Sequence, residues 1–164
     1  MKVDDIDSQP CPVAKALSQI GDAWSMLILR EAFYGRKRFS DFVTHTGAQK
    51  TVVSARLKRL VECGVLSRVV YSEYPTRHNY TLTAKGRALA PVLYVLSEWG
   101  ETWASDAEQP TITLTHNACG HQLGATVVCG TCGEPLDARN VTPTVGPGYP
   151  NELPDPFARS GVDD

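Results

Sequence analysis

Near the C-terminal end of the chain, His116-Asn117-Ala118-Cys119-Gly120-His121 is followed, with nine residues between Cys119 and Cys129, by Cys129-Gly130-Thr131-Cys132-Gly133. Thiolates and imidazoles are the ligands zinc prefers, and a pair bracketing two residues with a glycine behind it forms a metal knuckle, the glycine permitting the tight turn. The parallel between the halves favours His116, Cys119, Cys129 and Cys132 as one ligand set, with His121 the rival for the fourth place. Four protein ligands would close the coordination sphere, so the expected cofactor is a structural zinc in a small ribbon-like module. A redox CxxC pair and a module without metal are the alternatives. Hydrolytic zinc chemistry fits poorly. His121 is followed by Gln122 without the glutamate that a deaminase carries next but one after its histidine, no proline precedes Cys129, and no H-E-x-x-H occurs.

A second reactive position is Cys11, directly before Pro12. A thiol at a helix start is favoured as thiolate by the helix dipole, which Asp4, Asp5 and Asp7 would oppose. The functional reading is an oxidant or electrophile sensor, against a small half-buried residue at a helix start. Cys63, beside Gly64, reads as a buried apolar residue. Five cysteines, no secretory h-region and no apolar run long enough for a membrane span lead to the expectation of a reduced, cytoplasmic protein.

The third chemistry is charge. Between Arg30 and Arg87 there are twelve Lys/Arg against four Asp/Glu, while the remainder carries four basic and fourteen acidic residues. A net charge of −2 hides this basic block, the footprint of a polyanion binder. At its centre lies KTVVSARLKRLVE, Lys50 to Glu62, with Val53, Leu57, Leu60 and Val61 on an apolar face. Lys50, Ser54 and Lys58 share another face bordered by Thr51, and Arg56 and Arg59 add charge outside the apolar stripe. Such side chains bond base edges and phosphates in a major groove. A merely solvated basic face is the competing reading.

The elements around this helix decide between them. The pattern Val13, Ala16, Leu17, Ile20 predicts a first helix ending at Gly21. Asp22 is an N-cap candidate for a second, with Trp24, Leu27, Ile28 and Phe33 expected inside. After the basic loop Arg36-Lys37-Arg38 a short helix starts at Phe39, with Ser40 a candidate cap, and stops at Thr46-Gly47. The basic helix follows, capped by Gln49 or Thr51: a helix-turn-helix. Leu66–Tyr71 and His78–Leu82 read as strands joined by a six-residue loop with Arg77 at its tip, the position of a wing. Thr83 then caps a long helix running to about Asp106, with Leu89, Val92, Leu93, Leu96, Trp99 and Trp103 on one stripe and Pro91 kinking it or marking a register change. A stripe with so little local core calls for a second subunit. Thr111–Thr115 and Ala125–Val128 read as strands, the Pro/Gly-rich end as a disordered or surface-lying tail, and no internal repeat is evident.

The segments CPVAKALSQIGDAWSMLILREAF, FSDF, VVSARLKRLVECGVLSRVVY, YTLTAKGRALAPVL and SEWGE resemble, in order and spacing, the HxlR-type helix-turn-helix regulators of the MarR-like group. The resemblance implies a homodimer joined through the N-terminal helix and the long helix after the wing. It also implies binding to a pseudo-palindromic double-stranded DNA operator, with repression the expected sign. Some members use the cysteine of the Cys-Pro pair to sense oxidants or electrophiles, which singles out Cys11. The expected fold is therefore mainly α with a small β wing, a winged helix-turn-helix dimer with a small β, zinc-ribbon-like module behind it. The expected layout is an arm at 1–10, the winged helix at 11–107, the ribbon at 111–139 and the tail at 140–164. Candidate DNA contacts are Arg38, Ser40, Gln49, Lys50, Thr51, Ser54, Arg56, Lys58, Arg59 and Arg77. A small-molecule ligand in a dimer-interface pocket is the alternative input, and a thiol- or zinc-dependent enzyme carrying a winged helix the alternative class.

Overall fold

The computed structural model describes residues 6–158. Much of the expected N-terminal arm, with Asp4 and Asp5, and the last six residues of the tail lie outside the described residues. Helix α1 spans Pro12–Ile20, with Cys11 at its N-cap and Gly21 at its C-cap. Helix α2, Ala23–Phe33, is capped by Asp22, whose carboxylate accepts from the Ser25 amide at 3.1 Å. Helix α3 is Phe39–Thr46 and ends on Gly47 at φ 70°, a left-handed turn that glycine adopts without strain. Arg38, not Ser40, occupies its N-cap, and Ser40 lies one residue inside the helix. Helix α4 is Lys50–Glu62, with Gln49 at the N-cap position making no side-chain bond.

The wing is a two-stranded antiparallel sheet, β1 Leu66–Glu73 and β2 Thr76–Leu82, registered from Leu66 opposite Leu82 to Glu73 opposite Thr76. The strands reach further than the sequence suggests. Only Tyr74 and Pro75 connect them, so Arg77 is a strand residue opposite Ser72, and Tyr74, 94% exposed, is the tip.

The single long helix predicted after the wing is two. Thr83 caps α5, Ala84–Arg87, accepting from the Gly86 amide at 3.1 Å and donating to the Gly64 carbonyl at 2.7 Å. The chain turns at Ala88 and Leu89 before α6, Ala90–Trp103, where Pro91 takes a first-turn position that needs no amide donor. No helix among the described residues is long and apolar enough to cross a membrane.

The core is built where the helix-turn-helix meets α2 and the wing. Ile28, Leu29, Phe42, Val53, Leu57, Leu60, Val65 and Leu66 are all but fully buried, and Phe42 meets the Tyr80 ring edge-on at 6.2 Å. The apolar face of α4 is thus the one the sequence indicates. Two helices depart from expectation. In α2 the buried residues are Ser25, Ile28, Leu29, Glu31 and Ala32, while Trp24 is exposed and Leu27 and Phe33 half-buried. In α1 the inward residues are Ala14, Ser18 and Ile20, and Val13, Ala16 and Leu17 face outward. In α6 no residue is buried.

The chain divides into two compact units, residues 1–125 and 126–164. The boundary falls inside the stretch expected to form one ribbon. The strands expected at Thr111–Thr115 and Ala125–Val128 are absent, replaced by single bridges, Thr115 to Gln122 and Val128 to Pro135. From residue 140 to 158 the chain holds turns only, and nearly all of it is exposed.

Candidate nucleic-acid interface

The sequence places hydroxyl and ammonium groups on α4, and burial of Val53, Leu57 and Leu60 fixes which way they point. With those three inward, Lys50, Thr51, Ser54 and Lys58 are exposed. Lys50, Thr51 and Ser54 have no intramolecular polar partner among the described residues, and Lys58 has only a loose contact with Glu62 at 3.7 Å. Gln49 is exposed at the head of the same helix.

The two arginines of α4 go elsewhere. Arg56 Nε donates to the Asp22 carboxylate at 2.7 Å, and Arg59 donates to the Ser18 carbonyl, tying α4 to the start of α2 and to α1. Sequence reasoning took both as candidate DNA contacts. Their partners lie more than thirty residues away in the chain, so the intramolecular role has no local signal. Partial burial pushes the Asp22 carboxyl up, but hydrogen bonds from the Ser25 hydroxyl, Arg56 and the Ser25 amide, with the Arg56 charge, outweigh it and hold the group below its ordinary value.

Around the helix, Arg38 is exposed and its guanidinium lies 5.5 Å from the centre of the Tyr71 ring, a cation–π contact that steadies it beside the wing. Ser40 is exposed and its hydroxyl donates to the Asp41 carboxylate at 3.3 Å. Arg77 is exposed next to the hairpin tip. Sequence reasoning omitted Arg68, which is exposed on β1 and within 3.0 Å of His78 Nδ1. The available signal was a basic residue inside the strand that forms the wing.

The thiols are spread out. Cys11 is half-buried, its amide donating to the Gln9 carbonyl at 2.8 Å, and Cys63, expected to be buried, is half-buried against the core. In the first of the two units, His116 Nδ1 lies 3.3 Å from Cys119 Sγ. In the second, amides of Cys132 and Thr131 and the Cys132 thiol bond to the Cys129 sulfur and hold its pKa down to about 7. No three His, Cys, Asp or Glu side chains are gathered as a metal site among the described residues.

A helix-turn-helix whose second helix bares a polar, basic face, followed at once by a two-stranded wing, defines a winged helix-turn-helix DNA-binding protein. Residues 19–108 match the model of the HxlR-like helix-turn-helix family, and the chain belongs to that family. It is 43% identical over 141 residues to the uncharacterised HTH-type transcriptional regulator Rv3095 of Mycobacterium tuberculosis, covering 86% of this chain and 89% of that one. Among solved structures it is similar to PA1607, described as a candidate transcription factor, with a TM-score of 0.76 and 38% identity over 85% of this chain and 98% of that one. It is also similar to the redox regulator HypR in its reduced form, with a TM-score of 0.52 and 31% identity over 56% of this chain and 92% of that one. The protein is a transcriptional regulator of the HxlR type.

Proposed function

We propose that the chain is a homodimeric repressor that reads a pseudo-palindromic operator, α4 entering the major groove and the wing lying beside it. The carrying observation is the outer face of α4, where Lys50, Thr51 and Ser54 are exposed and unpartnered. Leaving three such donors idle is what a DNA-reading helix requires. Two copies related by a two-fold axis would present two α4 helices to half-sites about 34 Å apart. Arg38, Ser40, Lys58 and Arg77 are the phosphate-facing candidates; Gln49, Lys50, Thr51 and Ser54 are the candidates for base edges. Such a protein works where the DNA is, in the cytoplasm. That the family and its relatives are regulators supports a non-enzymatic role over a thiol- or zinc-dependent enzyme.

The test is fluorescence anisotropy on the protein's own upstream region across a salt series. Phosphate-led binding gives a falling log–log line, and Lys58→Ala flattens its slope by about one unit. A flat salt response would sink the proposal.

The proposed input is Cys11. It starts α1, a helix that exposes Val13 and Leu17, and HypR, a redox regulator by name, shares this fold. Oxidation or alkylation there would disturb α1 and release DNA. Cys11→Ser should keep operator affinity after diamide or quinone treatment while the parent protein loses it; equal loss in both removes Cys11 from the reading. A second input has its own observation, a cleft of about 180 Å³ lined by Met26, Leu27, Phe33, Leu93 and Leu96 with Arg30 at its side. An apolar anion would fit it, and the competing outcome is then an operator affinity that responds to such a ligand and not to oxidants.

A further inference from the structure

Two helices of the first unit end at one place. Helix α1 closes on Ser18, Gln19 and Ile20, α4 closes on Glu62 with Cys63 at its C-cap, and between the two ends lies a cleft of about 500 Å³. The last carbonyls of a helix have no partner in their own helix and carry the negative end of its dipole. Here each end is met by a cation. Arg59 donates to the Ser18 carbonyl, and the Lys85 ammonium donates to the Cys63 carbonyl at 2.7 Å. Lys85 also donates to the Gln19 side-chain oxygen at 2.7 Å, so one ammonium on α5 grips the ends of α4 and α1 together. The Asp7 and Glu62 carboxylates line the same cleft and add to the negative potential that favours both cations there.

Helix α1 depends on this clamp. At nine residues it is too short to persist alone in water. Its inward residues are Ala14, Ser18 and Ile20, of which Ile20 alone joins the core cluster among the described residues, while Val13 and Leu17 are exposed on the other side. With so little apolar surface buried, the bonds at Ser18 and Gln19 decide how α1 lies on α4. Helix α4 is seated differently. Val53, Leu57 and Leu60 anchor it in the core, and it needs neither bond to keep its polar face outward. Lys85 is exposed and counts toward the basic block, yet two of its three donors are already taken within the chain.

We propose that Arg59 and Lys85 are positioning residues for operator reading: they lock α1 onto the back of α4 and so fix the setting at which a dimer presents its two recognition helices. This rests on the reading of the chain as a homodimer whose α1 takes part in the subunit contact. Neither cation touches DNA in this arrangement. A single half-site needs only one α4 and is indifferent to the clamp. Two half-sites a helical turn apart are engaged together only by subunits that hold α4 at a fixed setting to the dimer face. The clamp therefore acts on the gain from binding both halves at once, and Gln19, remote from the polar face of α4, shares in it through Lys85.

The experiment measures the full chain by anisotropy, across a salt series, on two duplexes from its own upstream region, one carrying both half-sites and one carrying a single half-site. Gln19→Leu removes the acceptor without altering any charge, so it cannot remove a phosphate contact. It should weaken two-half-site affinity by about threefold to tenfold, the range one hydrogen bond gives, and leave half-site affinity and both salt slopes unchanged. Lys85→Met should lose at least as much, and the double variant no more than Lys85→Met alone, because the two substitutions break the same bond. Gln19→Glu keeps an acceptor and should bind both duplexes like the parent. Circular dichroism at the assay temperature reports the fold and should not change in any of them. An equal loss on the two duplexes, with the salt slope of Lys85→Met flattened by about one unit, puts the ammonium on a phosphate and overturns the proposal. So does an unchanged two-half-site affinity in Gln19→Leu and Lys85→Met. A parent protein that binds the two duplexes equally tightly overturns the dimeric reading, and the proposal with it, before any variant is compared.

Discussion

Asp22 serves two structural purposes with one carboxylate. It caps α2 through the Ser25 amide and holds Arg56 of α4 at 2.7 Å. Removing an N-cap typically costs about 1 kcal/mol, and an ion pair this exposed contributes at most about 1 kcal/mol. Asp22→Ala should therefore destabilise the protein by about 1–2 kcal/mol in urea titration, Arg56→Ala by less, and the double variant by less than the sum. Because folding holds the Asp22 carboxyl below its ordinary value, its contribution is complete above the unfolded value near 4 and fades as pH falls through the folded one. Asp22→Asn keeps a capping oxygen and should flatten the stability curve below about pH 4. Arg56→Ala also separates structure from recognition. Operator affinity at low temperature should change little and its salt slope not at all, whereas Lys50→Ala should weaken binding with the stability intact. A loss of slope in Arg56→Ala would place that guanidinium back on the DNA.

At the scale of elements, α5 is the joint between the wing and α6, and it has no room. A Cβ at Gly86 would run into the Val65 carbonyl oxygen and come within 3.0 Å of Leu82 Cδ2. Helix propensity favours Gly86→Ala by about 1 kcal/mol, but the obstacle is backbone at the foot of β1, so the substitution should cost about 1–3 kcal/mol net. Thermal unfolding decides it: a rise in Tm would mean that α5 can shift freely. The elements also show what a sequence reveals. The bounds of α4 were legible because Val53, Leu57 and Leu60 are spaced for burial and Gly64 stops the helix. The roles of Arg56 and Arg59 were not, since a residue's helical phase says which way it points but not what distant residue it meets. Pro75 made the hairpin look like a long loop, although it occupies one of just two connecting positions. Thr111–Thr115 alternates like a strand yet finds a partner only at Thr115, because no second run lies where it could pair.

The whole molecule sorts its surface into two faces with different needs. Positive charge gathers in residues 30–87, and the acidic remainder keeps the total at −2, which confines attraction for DNA to the reading unit. The apolar surface gathers elsewhere: Trp99 is 58% and Trp103 75% exposed on α6, with Val92 and Leu96 beside them, and Val13 and Leu17 on α1. Buried tryptophans cover about 150–250 Å² each, so two of them with the aliphatic residues approach the roughly 800 Å² per partner of a stable interface. These side chains are outside the core of Ile28, Phe42, Val53 and Leu57, so the fold does not depend on them. Trp99→Ala with Trp103→Ala should leave the helical circular dichroism unchanged and raise the dimer dissociation constant by at least ~100-fold, two central tryptophans each being worth about 2 kcal/mol. Sedimentation velocity over a concentration series reads this directly. Affinity for a two-half-site operator should fall by about 100-fold or more as the second α4 ceases to be tethered, while affinity for an isolated half-site holds. A parent protein that sediments as a monomer at every concentration, or a double variant that stays dimeric, would show that this face serves another purpose.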